Sequence, residues 1–295
     1  MTDGETAGLK GREVRPLGDH RALLGESPVW HPVEKVLWHV DITGRAVIRT
    51  EPGTGAQEVR ALPDEAGAVF AAPKGVIVAL PAGLHALTAI DAPMVPLVPS
   101  PFDHAAFRYN DGTVDAEGRI LVFTCRRKEL PRAPDGALWR FGPGAEPEML
   151  ADGLWTGNGL AEAGGQLFLS DSAPEVRTLW RAPYGDALGP REMVHAFSEG
   201  EGRPDGAALD AEGGCWVAAT EGAALVRIVG GAIERRVCLP TRRPSKPVFF
   251  GADLSRLAYT SISEMPDITD RYSGHLLEAP TPGLSGAPVA LARLW

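Results

Sequence analysis

The chain has 295 residues and a formal net charge of −9, with 44% hydrophobic residues and three cysteines. The acidic balance argues against general nucleic-acid binding, which needs a basic surface, and three cysteines do not make a disulfide framework. No run approaches 18 consecutive apolar residues, so the sequence predicts a cytoplasmic protein that spans no membrane.

The N-terminal residues MTDGETAGLKGRE lack the apolar core of a signal peptide, and residues 1–11 are predicted to be a flexible tail. Beyond them, short strand-like runs follow turns rich in Gly, Pro, Asp or Lys. In chain order the clearest runs are 36–40, 75–80, 120–123, 166–170, 215–218 and 257–260. Cys215 and Cys238 fall within strand-like runs and are predicted to be buried free thiols. Long helical periodicity is absent, which indicates an all-β protein.

Four phrases of similar shape carry an oxygen-bearing side chain at the same position, namely Glu26, Asn110, Asn158 and Asp205. The spacings between them are 84, 48 and 47 residues, and 84 is two units of 42. Strand–turn patterns in the same phase occur near residues 68 and 247, which gives six units. Blades of β-propellers have four strands and periods in about this range.

The sequence therefore predicts a single domain over residues 1–295, an all-β six-bladed β-propeller with four-stranded antiparallel blades around a central metal site. Residues 12–16 are expected to pair into the last blade and close the ring, which removes free sheet edges. A two-sheet sandwich or an up-and-down barrel would use the same strands. Neither explains why polar side chains recur at one phase of the repeat.

In a propeller the innermost strands run along the central channel, so Glu26, Asn110, Asn158 and Asp205 are expected to face it at similar depth. Two carboxylates and two amide oxygens are hard ligands that suit one divalent cation, Ca²⁺, Mn²⁺, Mg²⁺ or Fe²⁺, and also accept Zn²⁺. The competing interpretation is that Asn and Asp before Gly simply form turns.

The phrases GESPVW (25–30), RYNDG (108–112), NGL (158–160), SDS (170–172), RPDG (203–206) and CWVA (215–218) resemble those of the gluconolactonase and regucalcin (senescence marker protein) family. The match runs in order from about residue 12 to residue 290. The resemblance implies a six-bladed propeller with one divalent metal that hydrolyses sugar lactones. It also implies that Glu26, Asn158 and Asp205 are metal ligands, that Asp205 is the catalytic acid/base, and that Arg108 and Asn110 bind substrate.

The predicted reaction is the opening of a sugar (aldono-) lactone to the aldonic acid by a protein that is a monomer or a weak homo-oligomer. Polarisation of the lactone carbonyl by the cation and proton transfer through Asp205 would accomplish it. Two alternatives stay open: hydrolysis of another ester or a phosphotriester on the same scaffold, and divalent-cation binding without catalysis.

The sequence departs from the family pattern after Gly118-Arg119, where FTCR (123–126) replaces a Gly-Thr-Met-like run. The following segment, 126–132, corresponds to a loop that covers the pocket in the family. Glu129 is shifted by one position there, so its contact with substrate is not predicted. The segment holds four cationic residues, which indicates either a solvated loop or attraction of an anionic sugar lactone.

Overall fold

The computed structural model describes residues 14–265, 268–280 and 283–294. In this part of the chain the strands form six four-stranded antiparallel sheets arranged as the blades of a propeller, which confirms the predicted all-β, six-bladed architecture. The tail predicted at residues 1–11 lies outside the described residues. A 3-10 turn at Glu199–Glu201 is the one helical element assigned within the described ranges, and no helix there is long and apolar enough to cross a membrane.

The first strand, β1 (Arg15–Pro16), belongs to the last blade. Blade 1 contains β2 (Gly25–His31), β3 (Val36–Asp41), β4 (Ala46–Thr50) and β5 (Gln57–Ala61). Blade 2 contains β6 (Ala68–Ala71), β7 (Val76–Leu80), β8 (Gly83–Leu87) and β9 (Val95–Pro99). Blade 3 contains β10 (Phe107–Val114), β11 (Ile120–Arg126), β12 (Gly136–Phe141) and β13 (Glu148–Leu154).

Blade 4 contains β14 (Gly157–Ala163), β15 (Gln166–Asp171), β16 (Thr178–Pro183) and β17 (Glu192–Ala196). Blade 5 contains β18 (Arg203–Leu209), β19 (Cys215–Thr220), β20 (Ala224–Val229) and β21 (Ala232–Cys238). Blade 6 contains β22 (Pro244–Phe250), β23 (Arg256–Ser261), β24 (Leu277–Ala279) and β1. The six innermost strands are therefore β2, β6, β10, β14, β18 and β22, at the positions that the repeat predicts.

The ring is closed by the two ends of the chain. Arg15 pairs with Glu278 and Pro16 with Leu277, so β1 completes blade 6 as its outermost strand. This confirms the predicted closure for residues 15 and 16, whereas residues 12 and 13 lie outside the described ranges. This pairing ties the start of the chain to the last blade and so closes the ring of six blades.

The hydrophobic core lies between neighbouring blades. Trp38 of blade 1 packs with Val69 and Val78 of blade 2, and Trp216 of blade 5 packs with Phe249 of blade 6. The second strand of each blade is largely buried on both faces. The outermost strands are mostly exposed or half-buried, and one prediction fails there: Cys238 on β21 is exposed, while Cys215 on β19 is buried as expected.

The C-terminal segment 283–294 crosses the mouth of the channel at which the innermost strands end. Its amides donate to carbonyls of three blades, from Ala287 to Leu209, from Ala292 to Ala71 and from Arg293 to Gly118. Beneath it lies an apolar cavity, here called the lower cavity, lined among others by Val29, Trp30, Ala71, Val114, Leu209 and Phe249. The polar anchors lie towards the other end of the channel, called the upper mouth.

His39 on β3 is a buried side chain without a polar partner. It is 1% exposed, and neither ring nitrogen has a hydrogen-bond partner among the described residues. Burial, with a smaller contribution from His20, lowers the pKa of His39 to about 3. Because the unfolded chain takes up this proton near pH 6.5 and the folded chain does not, stability should fall as the pH drops below 6.5.

We expect His39 to lower the free energy of unfolding by about 2 kcal/mol at pH 5 relative to pH 7.5. Each pH unit below the pKa of the unfolded chain lowers it by about 1.4 kcal/mol. His39→Leu should raise the Tm and shrink the difference in Tm between pH 7.5 and pH 5. The matched control is His104→Leu, because His104 is exposed in a loop. A His39→Leu variant with the acid sensitivity of the wild type would contradict the argument.

Candidate metal centre and catalytic site

Five of the six innermost strands contain a one-residue bulge at the level of the predicted anchors. Pairing with the second strand is interrupted after Glu26, Tyr109, Asn158, Pro204 and Pro244, and it resumes three residues later in each case. The remaining innermost strand, β6, has no such shift and no polar side chain at this level. A bulge bends its strand and re-aims side chains. The repeated oxygen-bearing residues therefore lie at or next to a repeated backbone irregularity.

Two aspartates at the ends of second strands fix the chain just before the anchors. Asp41 at the end of β3 accepts hydrogen bonds from the amides of Leu23 and Leu24, ahead of Glu26. Asp171 at the end of β15 does the same for Trp155 and Thr156, ahead of Asn158. Each carboxylate satisfies backbone donors that would otherwise be unpaired, which orders the entry into the innermost strand.

Side-chain hydrogen bonds link three neighbouring blades across the site. Arg108 donates to Asn110 Oδ1 at 2.8 Å, and Asn110 Nδ2 donates to Asn158 Oδ1 at 2.9 Å. Asn158 Nδ2 donates to Ser172 Oγ at 2.6 Å, and Ser172 in turn donates to the carbonyl of Pro204 at 2.6 Å. This chain sets the orientation of the Asn158 amide, whose Oδ1 has a second lone pair available for a ligand.

Glu26 and Asp205 form a buried pair of like-charged groups. Burial raises the pKa of Glu26 to about 7, and Asp111 adds to the rise. Burial, and then the charge of Glu26, raises the pKa of Asp205 well above its usual range. The charge of Glu26 on blade 1 thus opposes the ionisation of Asp205 on blade 5.

The donor set fits a hard divalent cation. Glu26 and Asp205 supply carboxylates, and Asn158 supplies an amide oxygen, all of them buried and on innermost strands. A cation between them would offset the repulsion that raises both pKa values. Within the described residues no group of three or more His, Cys, Asp or Glu is arranged to hold a metal, so the predicted set depends on Asn158 as its third member.

Arg108 and Glu65 form the wall of the upper mouth on the side of blades 2 and 3. Arg108 Nε lies 3.9 Å from Glu65 Oε2, and Arg127 Nη1 lies 3.7 Å from the same oxygen. Glu65 is 7% exposed, so its charge is balanced by two guanidinium groups in a partly desolvated position. Glu65 lies in the loop between β5 and β6, outside the repeated phrases, so the sequence pattern does not mark it as a site residue.

The segment 126–132 carries less free positive charge than its sequence indicates. Arg126 pairs with Asp135, Arg127 pairs with Asp64 at 2.6 Å, and Arg132 pairs with Glu175 at 3.2 Å. Lys128 and Glu129 are exposed, and Lys128 has no ion-pair partner in the described part of the chain. Phe123, which departs from the family pattern, is fully buried and lies against Gly157. It therefore fills the core between blades 3 and 4.

Two further polar residues of the channel were missed by the sequence analysis, Asp111 and Lys246. Asp111 Oδ2 accepts a hydrogen bond from the amide of Leu160, and Asp111 Oδ1 accepts one from Lys246 Nζ at 2.5 Å. Both side chains are buried, and both lie in bulges. The available signals were an acid directly after Asn110 and a lone lysine at the phase of the sixth unit.

Two identical Asp-Ala-Glu-Gly turns, at residues 115–118 and 210–213, have a structural role. Asp115 accepts hydrogen bonds from Arg119 at 2.6 Å and from the Tyr184 hydroxyl at 2.7 Å. Asp210 accepts from Trp216 at 2.8 Å and from Arg227 at 2.6 Å. These carboxylates lie at the end of the channel opposite the anchors and are fully engaged.

Both the sequence and the fold of this chain are similar to those of known proteins. The model of the SMP-30/Gluconolactonase/LRE-like region matches residues 24–263. A 6-deoxy-6-sulfogluconolactonase of Pseudomonas putida is 33% identical, with 82% of this chain and 84% of that protein covered. The pentonolactonase XacC of Haloferax volcanii is 28% identical, with 82% and 83% covered. The solved structure of the calcium-binding protein regucalcin from Agrobacterium tumefaciens shares the fold, with a TM-score of 0.86, 24% identity and coverage of 95% and 97%.

Proposed function

The chain belongs to the SMP-30/gluconolactonase/LRE-like family, and on this premise we propose that it is a divalent-metal-dependent hydrolase that opens a sugar (aldono-) lactone to the aldonic acid. The observation that carries the proposal is the buried set of Glu26, Asn158 and Asp205 next to the hydrogen-bonded pair of Arg108 and Asn110. The relatives named for lactone hydrolysis, one acting on a sulfogluconolactone and one on a pentonolactone, support the same reaction class.

In this proposal Glu26, Asn158 and Asp205 hold one divalent cation, Ca²⁺, Mn²⁺, Mg²⁺, Zn²⁺ or Fe²⁺. When bound, the cation supplies positive charge that polarises the lactone carbonyl and acidifies a water molecule. Asp205 accepts the proton of the attacking water and returns it to the ring oxygen as the acyl C–O bond breaks.

Arg108 and Asn110 orient the substrate at the upper mouth. Arg108 is already held by the carbonyl of Tyr109 and by Asn110, so its guanidinium is preorganised and retains donors for hydroxyl groups of a sugar. Preorganised donors raise the rate because the reacting groups are positioned before the reaction begins.

The proposal is tested by assaying acid release from a panel of lactones after chelation and after addition of each candidate metal. We expect turnover to disappear on chelation and to return with at least one divalent cation. Turnover of organophosphates in preference to lactones would favour the phosphotriester alternative. Metal binding without turnover of any lactone would favour a cation-binding protein without catalysis.

The finer proposal is that the preferred lactone is anionic. One relative is named for a lactone that carries a sulfo group, and the segment 126–132 presents exposed Lys128 beside the upper mouth. The three arginines of that segment are matched by carboxylates, so Lys128 supplies the uncompensated charge. An exposed cation at a site entrance raises the rate of encounter with anions in a manner that salt suppresses.

We expect Lys128→Gln to lower kcat/KM for an anionic lactone about threefold to tenfold at low ionic strength, with little change for the neutral counterpart. Raising the salt concentration should remove the difference between variant and wild type. The matched control is Lys74→Gln, which removes an exposed lysine at the opposite end of the channel. Equal efficiencies for both lactones, independent of salt and of Lys128, would eliminate the anionic substrate while leaving lactone hydrolysis intact.

A further inference from the structure

Lys246 is a buried cation inside the channel, and neither the repeat nor the family resemblance assigns it a role. It lies in the bulge of β22 and is 6% exposed. Its ammonium donates to Asp111 Oδ1 at 2.5 Å and to the carbonyl of Gly112 at 2.7 Å, across the channel on blade 3. A buried ammonium is costly unless it is paired and hydrogen-bonded, as it is here.

The stem of Lys246 lies against the strand that carries Asp205. A Cβ placed on Gly206 would be 2.4 Å from Lys246 Cβ and Cγ, so the absence of a side chain at 206 permits the approach. Lys246 and Gly112 also line the top of the lower cavity. The Lys246–Asp111 pair thus forms the boundary between the apolar lower cavity and the polar site at the upper mouth.

The charged side chains at this level of the channel have a net negative charge equal in size to the charge of one divalent cation. The innermost strands contribute three carboxylates, Glu26, Asp111 and Asp205, and one ammonium, Lys246. Their net formal charge is −2. The arginines of the same strands lie at the mouth and face carboxylates of their own: Arg108 faces Glu65, and Arg203 pairs with Glu221.

Lys246 lies close to the predicted ligand Asp205, because its stem packs against Gly206, the next residue on the same strand. Its ammonium is held by Asp111 Oδ1, on the innermost strand that also carries Asn110. The ammonium is therefore close enough to act on a cation bound by the predicted ligands. Without it, the same three carboxylates would present a net charge of −3.

We propose that Lys246 is a specificity-determining residue that fixes the net charge of the site and so lowers its preference for trivalent over divalent cations. This inference depends on the proposed metal site. Coulomb energy is proportional to the charge of the ion, so removal of one positive charge strengthens binding of a trivalent ion more than that of a divalent ion. A gain of about tenfold for Ca²⁺ corresponds to about thirtyfold for Tb³⁺, because the logarithm of the gain scales as three to two.

The experiment is a calorimetric titration of chelated protein with Ca²⁺ and with Tb³⁺ at pH 8, on wild type, Lys246→Met, Asp111→Asn and the double variant. We expect Lys246→Met to bind Ca²⁺ about tenfold and Tb³⁺ about thirtyfold more tightly, and Asp111→Asn to bind both more weakly in the same proportion. The double variant restores the net charge of −2 and should bind both ions with affinities close to those of the wild type. Lys74→Met serves as the control for loss of a lysine remote from the site.

Loss of one partner of a buried ion pair is destabilising, and the double variant guards against this because it removes both charges together. Unchanged or weaker binding in Lys246→Met, with an unaltered ratio of Tb³⁺ to Ca²⁺ affinity, would overturn the proposal. If Lys246→Met does not fold, Asp111→Asn and the double variant decide the outcome by the same criterion. A wild type that binds neither ion would instead refute the metal site itself, so the two failures are distinguishable.

Discussion

Asp205→Ala should lose at least about a thousandfold in kcat/KM for the best lactone, because it removes both the proton acceptor and a predicted ligand of the cation. General acid–base catalysis alone contributes about a hundredfold to ten-thousandfold. The fold should survive: the carboxyl group is buried with a pKa raised by burial and by Glu26, so its ionised form destabilises the metal-free protein at neutral pH. The metal-free variant is expected to have a Tm equal to or above that of the wild type.

The contrasting variant is Asp210→Ala, five residues further along the same blade. Asp210 accepts hydrogen bonds from Trp216 and Arg227, so its loss leaves a buried guanidinium partly uncompensated and should lower the Tm. We expect Asp205→Ala to lose activity and keep its stability, and Asp210→Ala to lose stability. This contrast would assign a chemical role to Asp205 and a structural role to Asp210. Asp205→Ala with more than a tenth of the activity of the wild type would refute its role as the acid/base.

Glu26→Gln should weaken Ca²⁺ binding about a hundredfold or more at pH 8, because it removes one of two charged ligands from a buried site. In the wild type, burial and Asp111 raise the pKa of Glu26 to about 7, so below pH 7 the cation must displace a proton. Apparent affinity is therefore expected to fall by about tenfold per pH unit for each displaced proton as the pH drops below 7. Affinity falls towards low pH because the pKa of Glu26 is raised in the metal-free site. The metal-free site therefore holds a proton that must leave before the cation binds.

Calorimetry in two buffers of different ionisation enthalpy measures this proton release directly. Binding at pH 6 should release protons in the wild type, and Glu26→Gln should release fewer. The matched control is Glu34→Gln, since Glu34 lies on the β2–β3 turn at the far end of the channel, half-buried beside Arg49. Calcium affinity that is independent of pH between 6 and 8 would contradict the place of Glu26 in the site.

The architecture was predictable because each blade repeats the same local pattern. The anchors at 26, 110, 158 and 205, and the apolar patterns near 68 and 247, mark innermost strands in the structure. Each blade pairs consecutive strands, so periodicity along the chain translates into position around the ring. Even the closure by Arg15 and Pro16 follows from the need to pair the edge of the last blade.

The contacts between blades were not predictable in the same way. Lys246 and Asp111 are 135 residues apart, and their pairing depends on how two bulges aim side chains across the channel. The repeat predicts where in its blade a residue lies, but not which residue of another blade it contacts. The partners of Arg127 and Arg132, Asp64 and Glu175, likewise lie in loops of other blades, so the charge of the segment 126–132 cannot be judged from its own sequence.

The sequence pattern also did not predict which side chains of the outermost strands are buried. Cys238 follows buried Val237 on β21, and alternation along the strand turns the cysteine towards solvent. The composition of that run indicates a strand, while the face on which each side chain lies depends on the register with β20.

The most direct measurement is an anomalous difference map from crystals grown with Mn²⁺, which locates the cation without reference to any assay. The account predicts a single strong peak in the channel, within coordination distance of Glu26, Asn158 and Asp205 and on the upper side of Lys246. A map with no peak between these three side chains, or with the ion bound elsewhere, would contradict it.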